Sequence, residues 1–198
     1  RRRQGREVRR EVGNIDADKA GEIIVATGGG AKNEVKVFTA QGILKTKFRP
    51  YNQNFAGGVS LAVGDIDGDN IDEIITGAGP GGGPHVRIFN GSGQLKGEFM
   101  AYESSFRGGI QVAAGNLNYG AKASQDEIIV SPGAGRQPQV RIFSAKGRLL
   151  SSFSAFNDNF RQGFSIALSD IDNNGLPEIV ASAGPGGGPQ VRIFNALG

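Results

Sequence analysis

The sequence predicts an all-β protein assembled from four tandem repeats, and two recurring markers support this prediction. The first marker is an apolar strand, VKVF at residues 35–38 and VRIF at residues 86–89, 140–143 and 191–194. The second is an acidic residue followed by an apolar triplet, which recurs at Glu22, Glu73, Glu127 and Glu178. Both markers step by 51, 54 and 51 residues. One unit of about 51 residues is therefore repeated in a single register.

Each unit has the pattern of four short strands. In the second unit they are GGVSLAVGD, EIITGAG, HVRIFN and QLKGEFMAY. Apolar residues alternate in these strands or run continuously, and no segment keeps a 3.6-residue period, so helices are not expected. Four short strands in a repeat of this length are typical of a β-propeller blade. Small residues in the first strand suit the propeller axis, and Phe48, Phe99 and Phe153 are expected to fill the space between neighbouring blades.

The repeat register also gives the domain organisation. A basic N-terminal tail, residues 1–7, precedes a propeller segment that covers residues 8–198. The units span approximately residues 8–54, 55–105, 106–159 and 160–198. They supply four first, second and third strands but only three fourth strands. The chain is therefore expected to form either an unusual four-bladed ring or an arc of a larger propeller, and we favour the arc.

Composition is typical of a soluble globular protein, with 38% hydrophobic and 21% charged residues in a chain of 198. No apolar run reaches the roughly 20 residues that span a bilayer. The absence of cysteine excludes disulfides and thiolate metal sites. The net charge of +3 comes from the first ten residues, RRRQGREVRR, without which the sum is −2. Because no interleaved basic and aromatic residues follow, nucleic acid is not the expected partner.

Three of the units carry an oxygen-rich loop between their first and second strands. Counting the first Asx as position 1, side-chain oxygens fall at positions 1, 3, 5 and 9. The candidates in the first unit are Asn14, Asp16, Asp18 and Glu22. Those in the second are Asp65, Asp67, Asp69 and Glu73, with the backbone carbonyl of Ile71 at position 7. Those in the fourth are Asp170, Asp172, Asn174 and Glu178, with the carbonyl of Leu176.

This spacing favours calcium as the bound ion. Alternate residues of a tight loop turn toward one centre, and calcium takes six to eight oxygen ligands at about 2.3–2.6 Å in irregular geometry. A cation would convert the repulsion between the carboxylates into a clip that joins two strands. An EF-hand is excluded, because position 12 is Thr76 or Ala181 and strands flank the loop. A plain turn is the alternative, since Asp and Asn bond their own backbone in turns.

The third unit departs from the pattern. Its loop, NLNYGAKASQDE at residues 116–127, begins with two neutral amides and contains three additional residues, which account for the 54-residue step. Position 5 carries no acid, so no tight metal site is expected there.

The stretch FAGGVSLAVGDIDGDNIDEIITGAGP, residues 55–80, resembles the FG-GAP and VCBS repeats of integrin-α-like β-propellers. Phe55, Gly57 and Gly58 look like the FG element, and residues 77–80 look like the GAP element. Residues 160–185 match in the same way, and the other two units match in part. The resemblance implies a calcium-stiffened propeller of about seven blades in a secreted or cell-surface protein. It places the metal ligands on the acidic loops of the second and fourth units, with Asp72 beside the former.

The remaining motifs do not indicate catalysis. The run GPGGGP, residues 79–84 and 184–189, lacks the Lys and Ser/Thr of a phosphate-binding loop and precedes a strand instead of a helix. With His85 as the single histidine and no cysteine, neither a Ser-His-Asp triad nor a zinc protease motif can form. Paired carboxylates for glycoside hydrolysis are conceivable, but the acids cluster at metal spacing, where they would be occupied. We therefore do not expect an enzyme.

The expected function is that of a calcium-binding β-propeller repeat domain for extracellular adhesion or recognition. Its loops would bind a protein or glycan ligand, it would have no membrane span, and further blades would lie in the same parent chain. The rival is a non-catalytic substrate-binding or scaffold module, for example a carbohydrate-binding one, of a larger secreted enzyme. A sugar-binding lectin is a third candidate.

Overall fold

The computed structural model describes residues 8–18, 20–119 and 125–198, so the predicted basic tail lies outside the described residues. Within them, fifteen strands form four antiparallel sheets and no helix occurs. No described segment therefore forms a helix long and apolar enough to cross a membrane.

Each sheet is one blade, and its strands follow one another in sequence order. Blade 1 contains β1 (Val8–Gly13), β2 (Glu22–Thr27), β3 (Val35–Phe38) and β4 (Leu44–Phe48). Blade 2 contains β5 (Val59–Gly64), β6 (Glu73–Ala78), β7 (His85–Phe89) and β8 (Leu95–Met100). Blade 3 contains β9 (Ile110–Gly115), β10 (Glu127–Pro132), β11 (Gln139–Phe143) and β12 (Leu149–Ser154). Blade 4 contains β13 (Phe164–Ser169), β14 (Glu178–Ala183) and β15 (Val191–Phe194).

The four blades form a propeller, which confirms the predicted all-β class. The first strands β1, β5, β9 and β13 are neighbours in that order. They line a cavity of about 250 Å³ whose wall includes Glu11, Ala62, Ala113 and Ala167. The small side chains of Ala62, Ala113 and Ala167 let β5, β9 and β13 approach one another, as the sequence predicted.

The core lies between the blades, where apolar side chains of successive sheets meet in three clusters. The second strands of blades 2 and 3 are buried on both faces because a neighbouring blade covers each side. In β6, Ile74 packs toward blade 1 and Ile75 toward blade 3. This double burial explains why the second strand is an unbroken apolar run. The predicted inter-blade role of Phe99 is confirmed, since its ring centroid lies 4.9 Å from that of Phe143 in the next blade.

Blade 4 has one face without a covering sheet in the described structure. Val86 and Val140, on the third strands of blades 2 and 3, are 0% exposed because the following blade packs on them. The equivalent Val191 is 63% exposed and Ile193 is 55% exposed. The larger propeller remains a prediction.

Candidate metal centres

The predicted acidic loops bring carboxylates together in three blades. In each loop, one oxygen from each of three residues lies within 4.8 Å of the other two. The trio of blade 1 is Asp16, Asp18 and Glu22. The trios of blades 2 and 4 occupy positions 1, 3 and 9 and are Asp65, Asp67 and Glu73, and Asp170, Asp172 and Glu178.

In blades 2 and 4, the first aspartate of the loop accepts hydrogen bonds from backbone amides that follow it, and these bonds stabilise the turn. Asp65 Oδ1 accepts from the amides of Gly68 at 2.7 Å and Asp69 at 3.1 Å, while Oδ2 accepts from Asn70 at 2.8 Å. Asp170 accepts from Asn174 and Gly175 in the same way, at 3.0 and 2.9 Å. This is also what the plain-turn alternative predicts. The turn and a metal site are compatible, because Oδ2 of Asp65 accepts one amide and keeps a second lone pair.

The glutamate at position 9 closes the loop from the strand side. Glu22 and Glu127 accept from the backbone amide at position 2, Ile15 at 3.3 Å and Leu117 at 2.8 Å. Glu178 accepts from Ile171 at 2.9 Å. The contact is present in blade 3 as well, where no metal is expected, so this glutamate also has a structural role.

Glu73 provides the observation that tests whether blade 2 fits a cation. Its side chain is almost completely buried, and its Oε2 has no hydrogen-bond partner among the described residues. Burial raises the pKa of Glu73, and the charges of Asp67 and Asp69 add to that increase. A buried, unpartnered carboxylate oxygen is costly unless a cation or donor meets it. The donor set of this loop therefore fits a hard divalent ion. In blade 1, the buried Oδ1 of Asn14 is likewise unpartnered.

Two further predicted ligands, both at position 5, also stabilise the turn. Asp69 Oδ1 accepts from the amide of Ile71, and Asn174 Oδ1 accepts from that of Leu176, at 2.8 and 2.9 Å. Asp69 and Asn174 thus hold the backbone at position 7, whose carbonyl the sequence proposed as a ligand.

Two lysines that the sequence analysis missed lie in the acidic clusters. Lys96 Nζ, on β8, donates to Asp67 Oδ2 at 2.7 Å and to Glu73 Oε1 at 2.9 Å. Lys45 Nζ, on β4, donates to Glu22 Oε1 at 3.0 Å and also contacts Asp16. These hydrogen bonds raise the pKa of both lysines. The 51-residue step between them was the available sequence signal.

Neighbouring loops are also joined to one another. The carboxylate of Asp72 accepts from the amide of Asn14 at 2.8 Å, and the amide of Asp72 donates to the carbonyl of Asn14 at 2.8 Å. The amide of Asp126 donates to the carbonyl of Asp65 in the same way. Burial, with the charges of Asp72 and Asp65, raises the pKa of Asp126 to about 6. Asp72, predicted to lie beside the ligands, thus connects blades 1 and 2.

The third loop is described only in part, because residues 120–124 lie outside the described residues. Leu117 is buried in the core between blades 3 and 4. The absence of a tight metal site in this loop remains a prediction.

Glycines of three blades line a cleft elsewhere on the propeller. Its volume is about 240 Å³, and its wall includes Arg9, Gly58, Pro80, Gly109 and Gln111. Arg136, which follows the glycine-rich segment of blade 3, stacks over the Tyr102 ring at 4.3 Å. This arginine therefore packs against the preceding blade.

These features define the class: a β-propeller with acidic loops that join the first and second strands of its blades. Residues 57–95 match the FG-GAP repeat family. The protein is therefore a β-propeller that contains an FG-GAP repeat, and the resemblance seen in the sequence is confirmed. A comparison with curated protein sequences found no match.

Solved structures with a similar fold include three rhamnogalacturonan lyases. The exotype rhamnogalacturonan lyase YesX has a TM-score of 0.59 and 16% identity, with coverage of 87% of this chain and 38% of the lyase. Rhamnogalacturonan lyase YesW has a TM-score of 0.59 and 14% identity, with coverage of 87% of this chain and 40% of the lyase. The Bacillus licheniformis rhamnogalacturonan lyase PL11 has a TM-score of 0.58 and 16% identity, with coverage of 87% of this chain and 40% of the lyase. The chain thus spans about two fifths of each lyase, and the likeness is one of fold.

Proposed function

We propose that the protein is a non-enzymatic, calcium-binding β-propeller domain that serves adhesion or ligand recognition outside the cell. The observation that carries the calcium assignment is the convergence of three carboxylates in each of three loops. The buried, unpartnered oxygen of Glu73 supports it. Calcium suits this donor set, because it accepts carboxylate oxygens in irregular arrangements.

The residues that would hold the ion are the three acidic trios, with Asn14 as a further oxygen donor in blade 1. A bound calcium would neutralise the carboxylates and join the first strand of a blade to the second. Because Asp72 connects the blade 2 loop to the blade 1 loop, stiffening one loop would also steady its neighbour. Calcium is thus proposed as a structural ion, and the exposed loops as the recognition surface.

The test is thermal unfolding of the whole chain in calcium and in a chelator. At a calcium concentration about one hundred times the Kd, binding at one site of the folded state alone should raise the Tm by about 5–10 °C. Asp67→Ala and Asp172→Ala should each reduce this increase. Asp158→Ala is the matched control, since Asp158 is exposed and lies outside the acidic trios. A melting curve that responds to neither calcium nor chelator would refute the calcium assignment.

A second candidate function is a non-catalytic carbohydrate-binding or scaffold module of a larger secreted enzyme. The observation in its favour is the fold likeness to three rhamnogalacturonan lyases, each of which is much longer than this chain. The glycine-lined cleft beside Arg9 and Gln111 offers polar groups to a sugar.

Calorimetric titration with rhamnogalacturonan oligosaccharides distinguishes the two candidates. Saturable binding that Gln111→Ala weakens would favour the carbohydrate module. Binding to an immobilised extracellular protein, with no response to the oligosaccharides, would favour adhesion.

A further inference from the structure

The lysines of β4 and β8 contact two of the carboxylates that would bind calcium. Lys96 Nζ contacts the residues at positions 3 and 9 of its loop, Asp67 and Glu73, and both belong to the close trio of blade 2. Lys45 makes the equivalent pair of contacts, with Asp16 and Glu22. The acids approach from the loop and the second strand, and the lysine approaches from the fourth strand. Each ammonium is thus held between two elements of its own blade.

An ammonium and a calcium ion compete for these carboxylates, because two cations in one small cluster repel each other. Both are cations, and the lysine nitrogen already lies within hydrogen-bond distance of oxygens that calcium would need at about 2.3–2.6 Å. The ammonium has only three donors and a single charge. It leaves the buried Oε2 of Glu73 without a hydrogen-bond partner. The lysine therefore pairs with only some of the carboxylate oxygens of the site, and a divalent ion would pair with more of them.

The lysine occurs at equivalent positions in blades 1 and 2, which both have an acidic loop. In blade 3, where the loop starts with Asn116 and Asn118, the equivalent position on β12 is Leu150. In blade 4, no lysine or arginine forms an ion pair with Asp170, Asp172 or Glu178 within the described residues. The acidic loops of blades 1 and 2 therefore share an internal ammonium at equivalent positions.

We propose that Lys96 and Lys45 are built-in counterions of their acidic loops, and that calcium enters blades 1 and 2 only by displacing them. Each lysine holds its loop together when calcium is scarce and weakens calcium binding when it is present. This inference rests on the proposed calcium-binding function.

The test combines calorimetric calcium titration with thermal unfolding of the whole chain in chelator. Lys96→Met keeps the aliphatic stem and removes the charge. We expect about a tenfold or greater gain in the calcium affinity of one site, together with a lower Tm in chelator. Lys45→Met should behave in the same way in blade 1, and it provides the test if Lys96→Met does not fold.

Lys47→Met is the matched control. Lys47 lies on β4 two residues from Lys45 and is exposed, and no ion pair involves it within the described residues. It should change neither the calcium affinity nor the Tm in chelator. Asp170→Ala should remove the blade 4 site and leave the gain from Lys96→Met intact.

The outcomes separate this inference from the calcium assignment. If the wild type binds calcium and neither lysine variant changes its affinity, the counterion role is refuted and the calcium function stands. The counterion role is also refuted if Lys47→Met raises the affinity as much as Lys45→Met. If neither the wild type nor the lysine variants bind calcium, both the inference and the proposed calcium function are refuted.

Discussion

Blades 2 and 4 share most of their sequence pattern but lie in different surroundings. Blade 2 has a sheet on each side, whereas blade 4 has a sheet on one side only within the described structure. Ile88 is 2% exposed in blade 2, and its equivalent Ile193 is 55% exposed in blade 4. The same local sequence therefore contributes to the core in one blade and to the surface in the other.

The acidic loop of blade 2 is likewise more enclosed than that of blade 4. The blade 2 loop has a buried Glu73, a lysine contact from β8 and a hydrogen-bonded link from Asp72 to blade 1. Blade 4 has Pro177 in place of Asp72, and proline has no amide to donate. The shared loop spacing thus brings positions 1, 3 and 9 together in both blades. The neighbouring blade and the fourth strand decide how deeply those oxygens are buried and what cation meets them.

The largest change in stability is expected at the equivalent isoleucines of blades 2 and 4, which differ in burial. Ile88→Ala should lower the free energy of unfolding by about 2–5 kcal/mol, because it opens a cavity between blades 2 and 3. Ile193→Ala should change it by no more than about 0.5 kcal/mol, since its side chain is largely exposed. Urea unfolding measures both values, with Ile142→Ala as the buried control. Equal losses at Ile88 and Ile193 would show that another surface covers the blade 4 face in solution.

The fold could be predicted from the sequence because each blade carries its own local signals. The unbroken apolar run at Ile74 and Ile75 and the repeated third strand indicate the strands. Their spacing indicates the blade. Strand pairing within a blade is between sequence neighbours, so short-range patterns were sufficient.

The candidate site was only partly predictable, because its remaining partners come from distant positions. Lys96 lies 29 residues beyond Asp67, and Asp72 contacts Asn14 across 58 residues. No loop pattern contains those partners. Asp69 and Asn174 have ligand spacing and also close the turn, because an Asx side chain bonds the amide two residues later.

A smaller loss of stability is expected when the arginines that contact the preceding blade are replaced by alanine. Arg87 donates to the carbonyl of Pro50 at 2.7 Å and pairs with Glu98, which is partly exposed, at 2.8 Å. Arg87→Ala should cost about 1–2 kcal/mol of unfolding free energy, most of it from the carbonyl bond. Its blade 4 equivalent Arg192 reaches Ala155 O at 3.2 Å, so Arg192→Ala should cost less than about 1 kcal/mol.

Urea unfolding of the two arginine variants provides the measurement. Arg148→Ala, at an exposed position in the turn before β12, serves as the control and should stay within about 0.5 kcal/mol. A larger loss for Arg192→Ala than for Arg87→Ala would contradict the ranking.

The smallest effect is expected at position 6 of the acidic loops, where the two blades use different residues for one backbone conformation. Asn70 in blade 2 has φ 66°, and Gly175 in blade 4 has φ 92°. Both backbone amides donate to the first aspartate of the loop, and no atom lies within 4 Å of a Cβ placed on Gly175. Gly175→Asn and Asn70→Gly should each change stability by no more than about 0.5 kcal/mol, since both residue types adopt left-handed backbone readily.

Gly175→Val tests whether this conformation is the constraint at position 6. The site has room for the side chain, so only the left-handed backbone opposes it, at about 1–2 kcal/mol. Chemical unfolding in chelator measures the three variants without a contribution from calcium. If Gly175→Asn were as costly as Gly175→Val, something other than backbone conformation would distinguish the loops of blades 2 and 4. If Gly175→Val cost nothing, the loop of blade 4 would not depend on a left-handed residue at this position.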